Sequence, residues 1–251
     1  MAGRRPSTSL GDSVPEGCEQ VPNWLRLMVA EAVGTFFLVF PGVAAPMIGA
    51  ATHQPVPLLD VALANGLGLG IGISATLAVS GGALNPAVTV ALWSLGKLKT
   101  GLAILYVLAE LAGAAIAAGL LRLLIPHAAV AVGTPQPAIG VSGLDAAGIE
   151  CVLTFLLMSA VLNTIVDKQA PKIAGLGVGL IVVADVLAGG PLTGAAMNPA
   201  RAFGPELVSG VWTAAWAYWV GPIAGALLAA LIYRFFLQSA ATPIATTAGD
   251  A

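Results

Sequence analysis

Long apolar stretches separated by short polar breaks run along most of the chain. A helix needs about 20 apolar residues to cross the hydrocarbon core of a bilayer. Six stretches meet or approach that length: Leu25–Ala45, Leu58–Val79, Gly101–Leu124, Ala146–Val166, Ile173–Ala188 and Thr213–Leu237. Two further segments, starting at Gly81 and at Gly194, are apolar but too short to cross. Residues Met1–Pro22 carry Arg4, Arg5, Asp12, Glu16 and Glu19 among Ser and Pro, with no apolar run long enough for a signal peptide. The pattern predicts an all-α membrane protein of six transmembrane helices and two half-helices. One membrane domain spans 24–237, between solvated tails at 1–23 and 238–251.

Composition narrows the class. Apolar residues make up 58% of the 251 and charged residues 9%, against roughly 25% charged in an average soluble domain. A disordered chain and an ordinary soluble enzyme are excluded. The net charge of -2 offers no basic face for nucleic acid. Cys18 and Cys151 are too few for a disulfide framework or metal cluster. His53 and His127 read as ordinary loop residues, so no metal or cofactor is expected. Eight of the 10 basic residues fall on one side: Arg4, Arg5, Arg26, Lys97, Lys99, Lys168, Lys172 and Arg234. By the positive-inside rule both termini are cytoplasmic. The connection Pro46–Pro57 has no Lys or Arg and reads as an outside loop. Small residues four apart (Gly66/Gly70, Gly175/Gly179, Gly221/Gly225) mark close helix crossings.

The two halves of the chain echo each other. Glu31-Ala-Val-Gly-Thr35-Phe36 matches Glu150-Cys-Val-Leu-Thr154-Phe155. Asn85-Pro86-Ala87 returns as Asn198-Pro199-Ala200, 113 positions on. Gly113 and Arg122 return as Gly225 and Arg234, 112 positions on. The repeats cover about 24–124 and 146–237. Three spans per repeat is an odd number, so the second repeat must lie upside down relative to the first, as in many transport proteins.

Each short segment starts a helix. Asn is a favoured N-cap and Pro a favoured first residue. A half-helix of about ten residues rises about 15 Å, so two entering from opposite sides cover a core of about 30 Å. Their N-termini then meet near the midplane. There each presents free N–H groups and about half a positive charge, a potential that repels cations and hydronium. An asparagine held by its own backbone bonds can donate to a passing oxygen. A water held by two such donors cannot also donate to both neighbours, which interrupts a proton wire.

The paired Asn-Pro-Ala boxes, the second continuing to Arg201, resemble those of the major intrinsic proteins, the aquaporins and aquaglyceroporins. The resemblance covers about Trp24 to Leu237. It implies passive conduction of water, with small uncharged solutes as a second class, and a homotetramer with one pore per subunit; the short loops and tails point to the cell membrane. No chemical step is implied, so the chain is not an enzyme. By the resemblance Asn85 and Asn198 form the pore centre. Asn65, Val186, Ala195 and Arg201 form the outer filter. Pro86, Ala87, Pro199, Ala200, Glu31 and Glu150 give structural support. A strict water channel usually carries an aromatic at the place of Asn65 and a histidine at that of Val186. The smaller groups here imply a wider filter, closer to plant tonoplast-type members. Ala202 and the pair Tyr218-Trp219 point back towards water.

The acidic residues admit other readings. Glu31 and Glu150 read best as acceptors for the loops leading into the half-helices, because buried acceptors need partners. Glu110 reads as structurally paired. Asp185 either faces a water cavity or pairs with a polar neighbour. The alternatives are a glycerol, urea, ammonia or metalloid facilitator and, from another class, a proton-coupled transporter using these carboxylates.

Overall fold

The computed structural model describes residues 21–125 and 127–238. Both tails up to residue 20 and beyond 238, with Cys18, lie outside the described residues, as does the side chain of His127. Eight α-helices follow in order: α1 Asn23–Thr52, α2 Leu58–Ser80, α3 Pro86–Ser94, α4 Thr100–Leu124, α5 Gly143–Val161, α6 Leu176–Thr193, α7 Pro199–Ser209 and α8 Ala217–Ile232. Wider turns extend α5 over Leu162–Val166 and α8 over Tyr233–Leu237. Six of these helices are long and apolar enough to cross a membrane, and α3 and α7 are the two half-helices.

Several boundaries differ from the sequence reading, most of all the end of the first span and both ends of the fifth. The first span does not stop at Ala45. It continues through Pro46 to Thr52, where Gln54 N–H closes on the Gly49 carbonyl at 3.1 Å. The outside connection expected at Pro46–Pro57 therefore shrinks to 53–57. Likewise α6 begins at Leu176 rather than Ile173 and passes Ala188 and Pro191 to end at Thr193. The reason is common to both C-terminal extensions. A proline removes one backbone bond, but leaving the helix within an apolar layer exposes several more.

The halves pack as the repeat predicts. Helix α1 lies against α2 and α4, and α5 lies against α6 and α8. Helices α2 and α6 join the halves. There Gly66 and Gly70 face Gly179 and Gly175 so closely that a Cβ on Gly175 would strike the Gly70 carbonyl. Related positions do the same work in each repeat. Gly113 on α4 lies against the Ala32 carbonyl of α1, and Gly225 on α8 against the Cys151 carbonyl of α5. The half-helices are exchanged: α3 packs on α8 of the other repeat and α7 on α4. Tyr106 donates to the Ser80 carbonyl at 2.7 Å, and Tyr218 to the Thr193 carbonyl at 2.7 Å. These bonds fasten the ends of α2 and α6, where the chain turns back into the membrane.

Replacing Gly225 by Val should cost about 1–3 kcal/mol or more through overpacking against the α5 backbone. Gly119→Ala meets nothing within 4 Å and should be neutral or stabilising by up to about 1 kcal/mol. Thermal unfolding of the two variants in detergent checks the contrast.

Candidate functional site

The two half-helices begin where the sequence places their caps. Asn85 has an extended backbone, and its Oδ1 accepts from Ala87 N at 2.9 Å. Asn198 Oδ1 accepts from Ala200 N at 2.9 Å and Arg201 N at 3.3 Å. Pro86 and Pro199 occupy the first helical position, where a missing N–H costs nothing. With its oxygen held by its own helix, each amide must point its nitrogen outward. Asn85 Nδ2 donates to the Met197 carbonyl at 2.9 Å, and Asn198 Nδ2 to the Leu84 carbonyl at 2.8 Å. Leu84 and Met197 sit at φ 51° and 53°, a costly backbone for a side-chain-bearing residue. It turns their carbonyls across to the opposite repeat. An amide nitrogen carries two hydrogens, so each asparagine retains one donor beyond this bond.

The carboxylates hold the loops that supply those carbonyls. Glu31 accepts from Ala83 N at 3.2 Å and Leu84 N at 2.7 Å. Glu150 accepts from Ala196 N at 2.9 Å, Met197 N at 2.6 Å and the Thr193 hydroxyl at 2.7 Å. Both are fully buried. The Thr193 oxygen in turn accepts from Ala195 N at 3.1 Å. Ala87 and Ala200 are fully buried at the half-helix starts.

The candidate filter residues come from four places. Arg201, on the first turn of α7, is buried. Its Nη1 donates to the Gly133 carbonyl at 3.2 Å, and its Nε approaches Asn65 Oδ1 on α2 at 3.5 Å. Asn65 Nδ2 donates to the Val61 carbonyl at 2.8 Å. Gly133 closes a 3-10 turn, His127–Gly133, to which the sequence reading gave no role. Its carbonyl is visible only once the fold brings this connection over α7. Ala195, at φ 44°, leads into α7. Val186 is buried on α6, one turn beyond Val182. Asn65, Ala195 and Val182 line one narrow cavity with Asn85 and Asn198, of about 10 Å³. That volume is close to the least that holds a single water.

The remaining buried carboxylates differ. Glu110 Oε1 accepts from the Thr89 hydroxyl at 2.7 Å. Asp185 Oδ2 and both oxygens of Glu206 meet no hydrogen-bond partner among the described residues. Nor do the described residues group three His, Cys, Asp or Glu in a way that could hold a metal ion.

Residues 18–233 match the family described as Major intrinsic protein. Aquaporin TIP4-4 of Zea mays is 44% identical over 232 residues, covering 88% of this chain and 90% of that protein. Probable aquaporin TIP3-2 of Arabidopsis thaliana is 42% identical over 229 residues, covering 86% and 85%. The X-ray structure of the aquaglyceroporin from Plasmodium falciparum superposes with a TM-score of 0.76 at 26% identity. The match covers 85% of this chain and 97% of that one.

Glu150→Ala would leave two buried amides and a hydroxyl without their acceptor, at about 1–3 kcal/mol each. The variant should lose most of its thermal stability in detergent, whereas Cys151→Ala, next in sequence and half-buried, should not.

Proposed function

The chain belongs to the major intrinsic protein family, and from that membership we propose how its channel selects what passes. It is an integral, multi-pass membrane protein and a channel for water and small solutes, not an enzyme. A proton-coupled transporter is not favoured.

In the proposal, Asn85 and Asn198 orient the permeant at the centre. The observation that carries it is the pair of cross-repeat bonds, Asn85 to Met197 and Asn198 to Leu84. They pin both amides over a cavity sized for one water and leave each with a spare donor. A water accepting from both must turn its hydrogens away, so protons cannot hop through it. The two half-helix N-termini add a positive potential that repels cations. Pro86, Ala87, Pro199, Ala200, Glu31 and Glu150 keep this centre in place.

Arg201, with Asn65, Val186 and Ala195, filters at the outer mouth. The amide and the small aliphatic side chain leave room for solutes beyond water. Water is the principal permeant, as the names of the plant relatives suggest. The aquaglyceroporin likeness favours a second reading, in which small polyols or urea also pass. One channel unit at 24–237 with two cytoplasmic tails, a homotetramer with a pore in each subunit, and residence in the cell membrane complete the proposal. The last rests on the short loops. Fractionation separates it from the internal membrane implied by tonoplast-type relatives.

Proteoliposomes given a sucrose step should shrink fast with a low activation energy. Shrinkage no faster than in empty vesicles, from protein shown to be folded, would refute the channel. Arg201→Ala should raise glycerol and urea uptake severalfold. Unchanged rates in a folded variant would mean the filter lies elsewhere. Gly42→Ala tests the same place without replacing a filter residue, because its new methyl would strike the Asn65 amide. It should alter solute uptake more than water flux.

A further inference from the structure

A groove lies on an exposed, apolar flank of the bundle, between half-helix α3 and the first three turns of α4. Its volume is about 320 Å³. Val90, Trp93, Thr100, Ile104, Val107 and Leu108 line it, and almost none of its wall is polar. Trp93, Ile104 and Leu108 are 46%, 57% and 54% exposed. From Thr100 to Leu108 the helix rises about 12 Å at 1.5 Å per residue. A single leaflet of the hydrocarbon core is about 15 Å deep. The groove is therefore an apolar slot running from the membrane surface most of the way through one leaflet.

The surface end of the slot is polar and positive. Trp93 Nε1 donates to the Thr100 hydroxyl at 3.1 Å and closes the slot there. Lys97 and Lys99 stand in the adjoining connection, both exposed. No acidic residue occurs in the sequence between Asp60 and Glu110 to offset them. Lys99 is the N-cap of α4, and no side chain caps that end. The first-turn N–H groups of a 25-residue helix thus add to the positive field and can receive an anion. Charge at one end and an open apolar slot below it match one class of molecule.

We propose that this slot binds an anionic phospholipid, with an acyl chain along α4 and the phosphate headgroup held by Lys97, Lys99 and the start of α4. Zwitterionic lipid fills the slot with the same chain but lacks the net negative charge. A basic residue near an anionic surface contributes about 1 kcal/mol. Losing both lysines should therefore weaken anionic-lipid binding roughly 30-fold.

The test is native mass spectrometry of the purified full-length protein, titrated with phosphatidylglycerol and, separately, phosphatidylcholine. Lys97→Gln/Lys99→Gln and the slot-filling Ala103→Trp are run alongside, with water flux in proteoliposomes reporting that each variant is folded. The proposal expects phosphatidylglycerol to be retained preferentially and that preference to fall in both variants. Equal retention of the two lipids by the unaltered protein would overturn it. Loss with the lysine variant but not with Ala103→Trp would overturn the slot, leaving only a charged surface. A change of oligomeric mass in Ala103→Trp with no lipid retained by the parent would assign the face to a second copy of the chain instead.

Discussion

Two hydrogen bonds hold this channel closed upon itself at its centre. Asn85 donates to a carbonyl of the second repeat and Asn198 to a carbonyl of the first. Everything around them serves to make those bonds geometrically possible. The asparagine oxygens are consumed by their own helix starts, which fixes the rotamers. The carbonyls can reach only because Leu84 and Met197 adopt a left-handed backbone, and those residues are restrained by Glu31 and Glu150. In a membrane this loop backbone has no water to bond with, so fully buried carboxylates take that role. Arg201 follows from the same arrangement, since it begins on the helix that Asn198 caps.

The repeat explains the fold, and its breaches make the two half-helices chemically different. Tyr106 and Tyr218, Gly113 and Gly225, and Glu31 and Glu150 make equivalent contacts in the two halves. Arg201 does not: its counterpart is Val88. Only the second half-helix carries a cation at its start, and only there does a connecting turn bring a carbonyl, that of Gly133, to hold it. The first half breaks symmetry differently. Thr89 and Glu110 pair there, where the second half has Ala202 and Pro222. Thus the second half-helix begins with a buried cation held by a backbone carbonyl, while the first is tied to α4 by a buried carboxylate.

Much of this was legible in the order of residues. Six spans, two half-helices, the inverted repeat and the asparagine caps all follow from local rules of length, periodicity and capping. The errors were local as well. The residue pattern ends the first span at Ala45 and the fifth at Ala188, whereas the apolar surroundings carry α1 past Pro46 and α6 past Pro191. The glycine pairs were legible as crossings, but not which backbone each would meet.

Residue order alone specifies that this chain spans a membrane, that it does so twice over with opposite sense, and that asparagines cap two half-helices. Those features rest on interactions within a few residues of one another, so neighbours in the chain suffice to specify them. It is the packing of distant elements that sets each asparagine against the other repeat, Gly133 against Arg201, and Asn65 of α2 beside that arginine. Those contacts join positions separated by 112, 68 and 136 residues. No local rule of capping or periodicity can pair groups that far apart. They meet because α2 and α6 pack through facing glycines and the half-helices exchange partners.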